Sequence, residues 1–470
     1  MIEELIYNNS PVLFQNIMTS IYGLKLHWER YGGKSRQYTK QLDASDFESR
    51  AFFTKLQARE LRKLLDHAYH TTEHYRTLFD GVGLRPSDIA SPGDLKKIPI
   101  LEKGQIARNP KAFLSNAFRS AGLSKIYTSG TTGSPLTVFY DQSSRRKNYA
   151  FFNRVRRWRG TKVGHRRATL YGRTIIPLRQ KGPPFWRYDF AEKNLLFSSY
   201  HMSPDNLPYY YDKLCEFQPI EIRGYPSSLY SLARHMTKNG LSDIRPRAIF
   251  TTAETLFKST RETIEHAFQC DITDTYGCTE MAFYITQCEY GTYHAHPEYG
   301  IIETVDSDGN SVTSRRGELV CTGFINYAMP LIRYKVGDTL AIMEGDCRCG
   351  RQSPIIGEIH GRTDDIILTP DGRPVGRLDP VFKGGLGIKE AQIIQTRRDE
   401  ILFRIVKDEG YSSNDLEFLT LQLRKRIGNT MRIKFEFVPE IKRDKNGKFR
   451  SVISLIGSSH MDASELKFWD

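Results

Sequence analysis

Between about residue 120 and residue 280 the chain alternates short β-type runs with helical ones, and this alternation limits its possible folds more than any other feature. The runs KIYTSG, LTVFYD and RATLYG are short and rich in β-branched and aromatic residues. PIEIRGYPSSLYSLARHMTKNG reads as strand, turn and helix, and PRAIFTTAETLFKSTRETIEHAF repeats the pattern. CDITDTYGCTEMAF opens with another short strand. Strands separated by helices predict an α/β fold with a mainly parallel sheet flanked by helices. From about 298 the texture changes to hairpin-like runs around the turn DSDGNS, which predicts a β subdomain over about 298–360. A last segment carries the strand runs EAQIIQT, EILFRIVKD and RIKFEFVP and one clear helix, SNDLEFLTLQLRKRIGN. It predicts a small α+β domain over 364–470, behind a large domain over 51–363. Residues 1–50 are expected to be a helical extension, because Leu13, Ile17, Ile21 and Leu24 recur at helical spacing.

A chain of 470 residues is too long for one ordinary core, and 39% hydrophobic content is enough to build more than one. No run approaches the roughly 18 apolar residues of a spanning helix. The start, MIEELIYNNSPVLF, has acids at its front and no small-residue cleavage site, so no leader peptide and a cytoplasmic location are expected. Seven cysteines, six of them from Cys270 to Cys349, do not form the even framework of a disulfide-stapled secreted protein.

The net charge of +14 has a local origin. Residues 142–188 contain fourteen Lys and Arg and no Asp or Glu, which equals the whole excess. Such a block predicts attraction to a polyanion, such as a phosphate-rich small molecule or a membrane face, or else a solvated basic surface without a ligand. No nucleic-acid-binding motif accompanies it.

The stretch IYTSGTTGSP, residues 126–135, puts hydroxyls and glycines where a phosphate could be wrapped. Gly130 and Gly133 allow close backbone approach, while Ser129, Thr131 and Thr132 add donors to a possible nest of N–H groups. It lacks the terminal Lys-Ser/Thr of a P-loop. Further along come TTAE (Thr251–Glu254), YGCTE (Tyr276–Glu280), YKVGD (Tyr334–Asp338), GRTDD (Gly361–Asp365) and RDKNGKFR (Arg443–Arg450). In this order the six motifs resemble the adenylate-forming superfamily, most nearly the phenylacetate–CoA ligase family and its CapK-type branch, over essentially the whole chain.

The resemblance implies a reaction of a carboxylate with ATP to give an acyl-adenylate and pyrophosphate, then transfer to CoA or another thiol, amine or sugar hydroxyl. A role in surface polysaccharide modification, with peripheral association at the inner membrane face, is a further implication. Carried onto this sequence, Ser129, Gly130, Thr131, Thr132 and Gly133 would hold the β- and γ-phosphates. Ala253 and Glu254 would border adenine, and Tyr276 and Gly277 would lie against it. Thr279 would approach the α-phosphate, and Glu280 would bind Mg²⁺. Asp338 and Arg362 would reach the ribose, and Asp364 or Asp365 would form a hinge to a mobile C-terminal domain. Lys448 is the expected catalytic cation at the α-phosphate, with Lys445 as the alternative. Phe250, Thr251, Ala253, Tyr276, Gly277 and Met281 would line a pocket for a modest carboxylate. Two other functions stay open: an adenylyltransferase that leaves AMP on its substrate, as family members acting on a deazaflavin do, and a non-catalytic nucleotide or polyanion binder.

Cys288, His294, Cys347 and Cys349 match the Cys₃His set of a closed structural zinc site, with His296 as a substitute for His294. The resemblance implies zinc at similar positions. Cys278 is expected to be a small pocket-lining residue.

Overall fold

The computed structural model describes residues 2–127, 136–177, 179–360, 367–375, 378, 381, 388–407, 410–441 and 452–456. The chain begins with helices α1 (Ile2–Asn9), α2 (Val12–Tyr31), α3 (Ser35–Ala44), α4 (Arg50–Thr71), α5 (Glu73–Gly81) and α6 (Lys103–Arg108). Strands β1 (Ser124–Tyr127) and β2 (Thr137–Tyr140) pair antiparallel, with Tyr127 opposite Thr137, on either side of the glycine-hydroxyl stretch. Helix α7 (Gln142–Trp158) follows, its start capped by Asp141, which accepts from the N–H groups of Ser143 and Ser144.

Next come β3 (Arg167–Leu170), β4 (Trp186–Asp189), β5 (Asn194–Phe197), α8 (Leu207–Phe217), β6 (Glu221–Gly224), α9 (Pro226–Lys238), β7 (Ala248–Thr252), α10 (Lys258–Phe268) and β8 (Ile272–Gly277). As the alternation predicts, β5, β3, β6, β7 and β8 are parallel neighbours in that order, with β4 as an antiparallel edge. Six antiparallel strands continue the sheet beyond β8: β9 (Tyr284–Gln287), β10 (Tyr293–Ala295), β11 (Gly300–Val305), β12 (Gly317–Gly323), β13 (Tyr334–Met343) and β14 (Ile355–His360). The full order is β11-β12-β13-β14-β10-β9-β8-β7-β6-β3-β5-β4. The hairpin-rich stretch is therefore hydrogen-bonded into the same sheet as the parallel strands.

Two apolar cores follow from strand alternation. Ile222, Ile249 and Ile272 of β6, β7 and β8 pack with Leu229, Leu232 and Met236 of α9 and Phe268 of α10. Leu61, Leu64 and Leu65 of α4 pack with Leu319 and Leu340 of β12 and β13. The other face of β6 carries Glu221 and Arg223, which lie under α7.

The C-terminal strands are β15 (Ile367–Leu368), β16 (Pro374–Val375), β17 (Ile388–Arg397), β18 (Glu400–Lys407), β19 (Arg432–Phe437) and β20 (Val452–Ser454). The last four form a separate sheet, ordered β19-β18-β17-β20, with α11 (Ser413–Ile427) seated on it through Leu419, Leu423 and Ile427. Ser412 and Asp415 make a reciprocal cap at the start of α11.

Candidate active site

Parallel strands gather loops at their carboxyl ends, and ligands of open α/β sheets bind there. Tyr276 stands near that end of β8. Its Oη donates to Oδ2 of Asp338 on β13 at 2.6 Å. Three strands separate β8 from β13 in the sheet order, so the sheet curls to bring them together. Burial, reinforced by the Asp338 carboxylate, pushes the Tyr276 phenol well above its ordinary pKa, so the proton stays on tyrosine.

Beside this pair, Tyr334 Oη donates to Oε1 of the buried Glu280 at 3.0 Å. The loop after β8 places Gly277, Cys278 and Thr279 between Tyr276 and Glu280. Met281, directly after, has φ of 58°. Ala253, in the loop after β7, has φ of 73°. Both are left-handed conformations that non-glycine residues rarely adopt, and they sit at neighbouring strand ends. Glu254 accepts from the Ser227 N–H at 2.9 Å and from its Oγ at 3.0 Å. It thus ties the β7 loop to the N-terminus of α9, where a carboxylate is favoured.

The structure therefore brings Tyr276, Glu280 and Asp338 into one hydrogen-bonded neighbourhood, with Gly277 and Thr279 in the connecting loop. Ala253 and Glu254 stand at the next strand end. Ser129, Gly130, Thr131, Thr132, Gly133, Arg362, Asp364, Asp365, Lys445 and Lys448 lie outside the described residues. Of the expected pocket lining, Phe250 is buried against Phe152 and Val155 of α7. Thr251 donates to Oδ1 of Asp274, whose Oδ2 accepts from Tyr293 Oη at 2.6 Å. Cys278 is half-buried against the α4 core, and burial raises its thiol pKa far above the ordinary value, which suits a lining residue and not a nucleophile.

Sequence reasoning gave no role to Tyr334, although it opens the YKVGD motif. It also passed over Arg223 and Tyr284. Arg223 Nη2 and Tyr284 Oη are buried without a hydrogen-bond partner among the described residues. The available signal was the charged alternation Glu221, Arg223 within an otherwise apolar strand.

Cys288, His294, Cys347 and Cys349 converge, their ligand atoms all within 4.8 Å of one another. The Cys288 and Cys347 sulfurs are 3.8 Å apart, and Cys349 Sγ is 3.5 Å from His294 Nε2. His294 Nδ1 lies 3.2 Å from the Ser353 carbonyl, which favours the proton on Nδ1 and leaves Nε2 as a ligand atom. His296 is elsewhere: its Nε2 meets Thr286 Oγ1 at 2.9 Å and its Nδ1 meets Arg154 Nη2 at 3.2 Å. It is no substitute for His294.

The basic block corrects an expectation. Arg154, Arg156, Arg167 and Arg187 are buried. Arg154 pairs with Glu298 at 2.6 Å, Arg156 with Glu221 at 2.7 Å and Arg167 with Glu192 at 3.3 Å. Arg145 pairs with Glu29 at 2.8 Å, and Arg157 with Asp43. The countercharge that the block itself lacks comes from acids elsewhere in the chain. Only Lys162, Arg166, Arg173, Arg179 and Lys181 of the fourteen are exposed, so the block is not one open polyanion surface.

Known proteins can be set beside this geometry. A family model described as the CapK C-terminal domain matches residues 367–455. Protein CapK of Staphylococcus aureus is 28% identical over 458 residues, covering 96% of this chain and 99% of that protein. The chain is thus similar to a CapK protein along nearly its whole length. Phenylacetate–coenzyme A ligase of Thermus thermophilus is 25% identical to this chain over 340 residues, 67% of this chain and 71% of that one. Among solved structures, 2-hydroxyisobutyryl-CoA ligase with 2-HIB-AMP and CoA shares the fold at a TM-score of 0.59 and 17% identity, covering 87% of this chain and 92% of that one. Among the described residues, no helix is long and apolar enough to cross a membrane.

Proposed function

We propose that this chain activates a small carboxylic acid with ATP, forming an acyl-adenylate and releasing pyrophosphate. It then passes the acyl group to CoA or to another thiol, amine or sugar hydroxyl. The observation that carries this reading is the hydrogen bond from Tyr276 to Asp338 beside the Glu280–Tyr334 pair. Residues 54 to 62 positions apart in sequence meet where a nucleotide would lie.

In this reading Tyr276 offers a flat, half-buried face to adenine. Asp338 accepts hydrogen bonds from the ribose hydroxyls, and Ala253 and Glu254 shape the adenine border. Thr279 approaches the α-phosphate. Glu280 is a buried carboxylate oriented by Tyr334, which suits a hard cation such as Mg²⁺, and that ion would neutralise phosphate charge when bound. Residues 129–133 hold the phosphate tail, Arg362 assists at the ribose, and Lys448 supplies positive charge at the reacting phosphorus. Cys288, His294, Cys347 and Cys349 have the donor set and spacing of a structural Zn²⁺ site that would pin the β9–β10 hairpin to the loop after β13. An acceptor on a surface polysaccharide fits the CapK-type kinship.

ATP–pyrophosphate exchange with a panel of aryl, short acyl and amino acids tests this function. Exchange dependent on one carboxylate class is expected. Lys448→Ala should abolish it while leaving ATP affinity within a few-fold, and undiminished turnover would remove Lys448 from the mechanism. AMP retained on the substrate, without release, would favour the adenylyltransferase. Absence of exchange with every acid would leave the binding protein.

A further inference from the structure

Helix α2 is amphipathic in the reverse of the usual sense. Apart from the buried Leu26, its inner face is polar and is fixed to the sheet edge by hydrogen bonds. Gln15 Oε1 accepts from Arg187 Nε at 2.5 Å, and Asn16 Oδ1 accepts from the Tyr188 N–H at 2.9 Å. Ser20 Oγ accepts from the Phe190 N–H at 3.0 Å, and His27 Nδ1 meets the buried Glu192 at 2.6 Å. These side chains occupy main-chain and side-chain groups of the edge strand β4 and the turn after it, so they cap an edge that would otherwise invite pairing. Gly23 lets the helix come this close: a Cβ there would stand 2.2 Å from Asp189 Oδ2. The helix cannot roll without breaking these links.

The opposite face is apolar. At 3.6 residues per turn, Leu13, Phe14, Ile17, Ile21, Leu24 and Trp28 fall within an arc of about 100°. Each is between 43% and 63% exposed. No other residue type occupies that arc except Tyr31 at its end. Of the twenty large apolar side chains exposed among the described residues, nine lie between Ile6 and Trp28. Scattered apolar exposure is ordinary, but a continuous helical stripe marks a surface that is covered in use.

Cations border the stripe. Lys25 is exposed one step around the helix from Ile21. The Arg146 guanidinium lies 5.2 Å from the Trp28 ring centroid. Exposed Lys34 and Arg36 follow α2, and Arg179, bonded to Asn9 at 2.5 Å, stands beside α1 with Lys181 near it in sequence. The described acids of α2 and α3, Glu29 and Asp43, are already held by Arg145 and Arg157. A two-fold dimer through this face would set its own cations against their copies. An anionic surface would attract all of them.

We infer that α2 docks on the surface of a lipid bilayer bearing anionic headgroups. Leu13, Ile17, Ile21, Leu24 and Trp28 enter the acyl boundary, while Lys25 and its neighbours meet the headgroups. This docking is independent of the proposed ligase chemistry.

The test is co-sedimentation of the full chain with vesicles of phosphatidylcholine mixed with phosphatidylglycerol, and with phosphatidylcholine alone. Wild-type protein should sediment with the mixed vesicles and much less with the neutral ones. Ile17→Asp with Ile21→Asp should lower partitioning about tenfold or more. Lys25→Ala should lower it about fivefold on mixed vesicles only. Fluorescence adds a second measurement: emission should shift to the blue on mixed vesicles, and Trp28→Phe should lose that shift. Pyrophosphate exchange by these variants should match wild type, which separates this inference from the catalytic one. Absence of wild-type sedimentation, or full binding by the double aspartate variant, would overturn it. So would a dimer in sedimentation velocity that Ile21→Asp dissociates, because a second copy would then be the cover.

Discussion

Helices α2 and α7 lie against each other, and they invert what composition suggests for each. Helix α7, QSSRRKNYAFFNRVRRW, carries six Lys and Arg and no acid, yet Arg154 and Arg156 are buried in it. Helix α2, rich in Leu, Ile and aromatic residues, turns those residues outward and its Gln, Asn, Ser and His inward. The difference lies in what each helix packs on. Beneath α7, β6 offers Glu221, and a buried guanidinium is tolerated where a carboxylate meets it. Beneath α2 is the exposed edge of β4, whose polar groups need partners more than apolar cover.

The largest expected effect comes from breaking the buried cluster. Glu221 is fully buried between Arg156, at 2.7 Å, and Arg223, with Arg167 close enough to act on its charge. Removing one partner leaves an uncompensated buried charge, so Arg156→Met should cost about 3–5 kcal/mol in denaturant unfolding. Arg156→Met combined with Glu221→Leu should recover part of that loss. The cluster also sets a pH dependence. Burial pushes the Glu221 carboxyl up, but Arg223, Arg156 and Arg167 outweigh it and hold the pKa at about 2, against an ordinary 4.5. A depressed carboxylate stabilises the fold fully above its ordinary value, and that stability is lost as pH falls toward about 2. Stability measured from pH 5 downward should therefore drop less steeply in Glu221→Gln than in wild type. Equal slopes would mean that the cluster is not what holds α7 down.

The parts of the molecule that read clearly in its sequence are those whose signal is local. The alternation of strand and helix from β3 to β8 gave the parallel sheet, because each βαβ unit carries its own apolar period. Cys288, His294, Cys347 and Cys349 were legible because few roles suit three cysteines and a histidine at that spacing. What stayed hidden depends on partners distant in sequence. Arg156 finds Glu221 65 residues away, and Gln15 finds Arg187 172 residues away. Neither local charge nor local period records such a match, so the basic block read as surface. The stripe Leu13, Ile17, Ile21, Leu24 was correctly helical, but periodicity says only that a face is apolar, not which way it points. Tyr276 and Asp338 were each legible from their motifs, whereas their contact depends on the curl of the sheet.

The cysteine–histidine cluster gives a second, smaller test, because it adjoins the C-terminal end of α7. Arg351, two residues after Cys349, stacks on Trp158 at 3.9 Å and pairs with Asp46 at 3.3 Å. If zinc occupies the cluster, it steadies the platform on which α7 ends. With free metal about a hundredfold above its dissociation constant, binding should add about 2.7 kcal/mol to stability. A chelator should remove that increment from wild type and leave Cys349→Ser unchanged. Elemental analysis of the purified protein should find about one zinc per chain. A chelator effect of equal size in Cys349→Ser would place the metal elsewhere.

The smallest effects belong to α2, and two leucines of that helix sharpen the contrast most directly. Leu24 is 59% exposed and Leu26 is 8% exposed, although only one residue separates them. At 3.6 residues per turn they point about 200° apart. Leu26→Ala should cost about 2 kcal/mol, because it empties a packed position on the inner face. Leu24→Ala should stay within about 0.5 kcal/mol of wild type, as exposed positions generally do. Vesicle partitioning should rank the two the other way, with Leu24→Ala the weaker binder and Leu26→Ala close to wild type. Equal stability losses would show that the outer face is packed in solution, and the inversion between α2 and α7 would then end at the arginines.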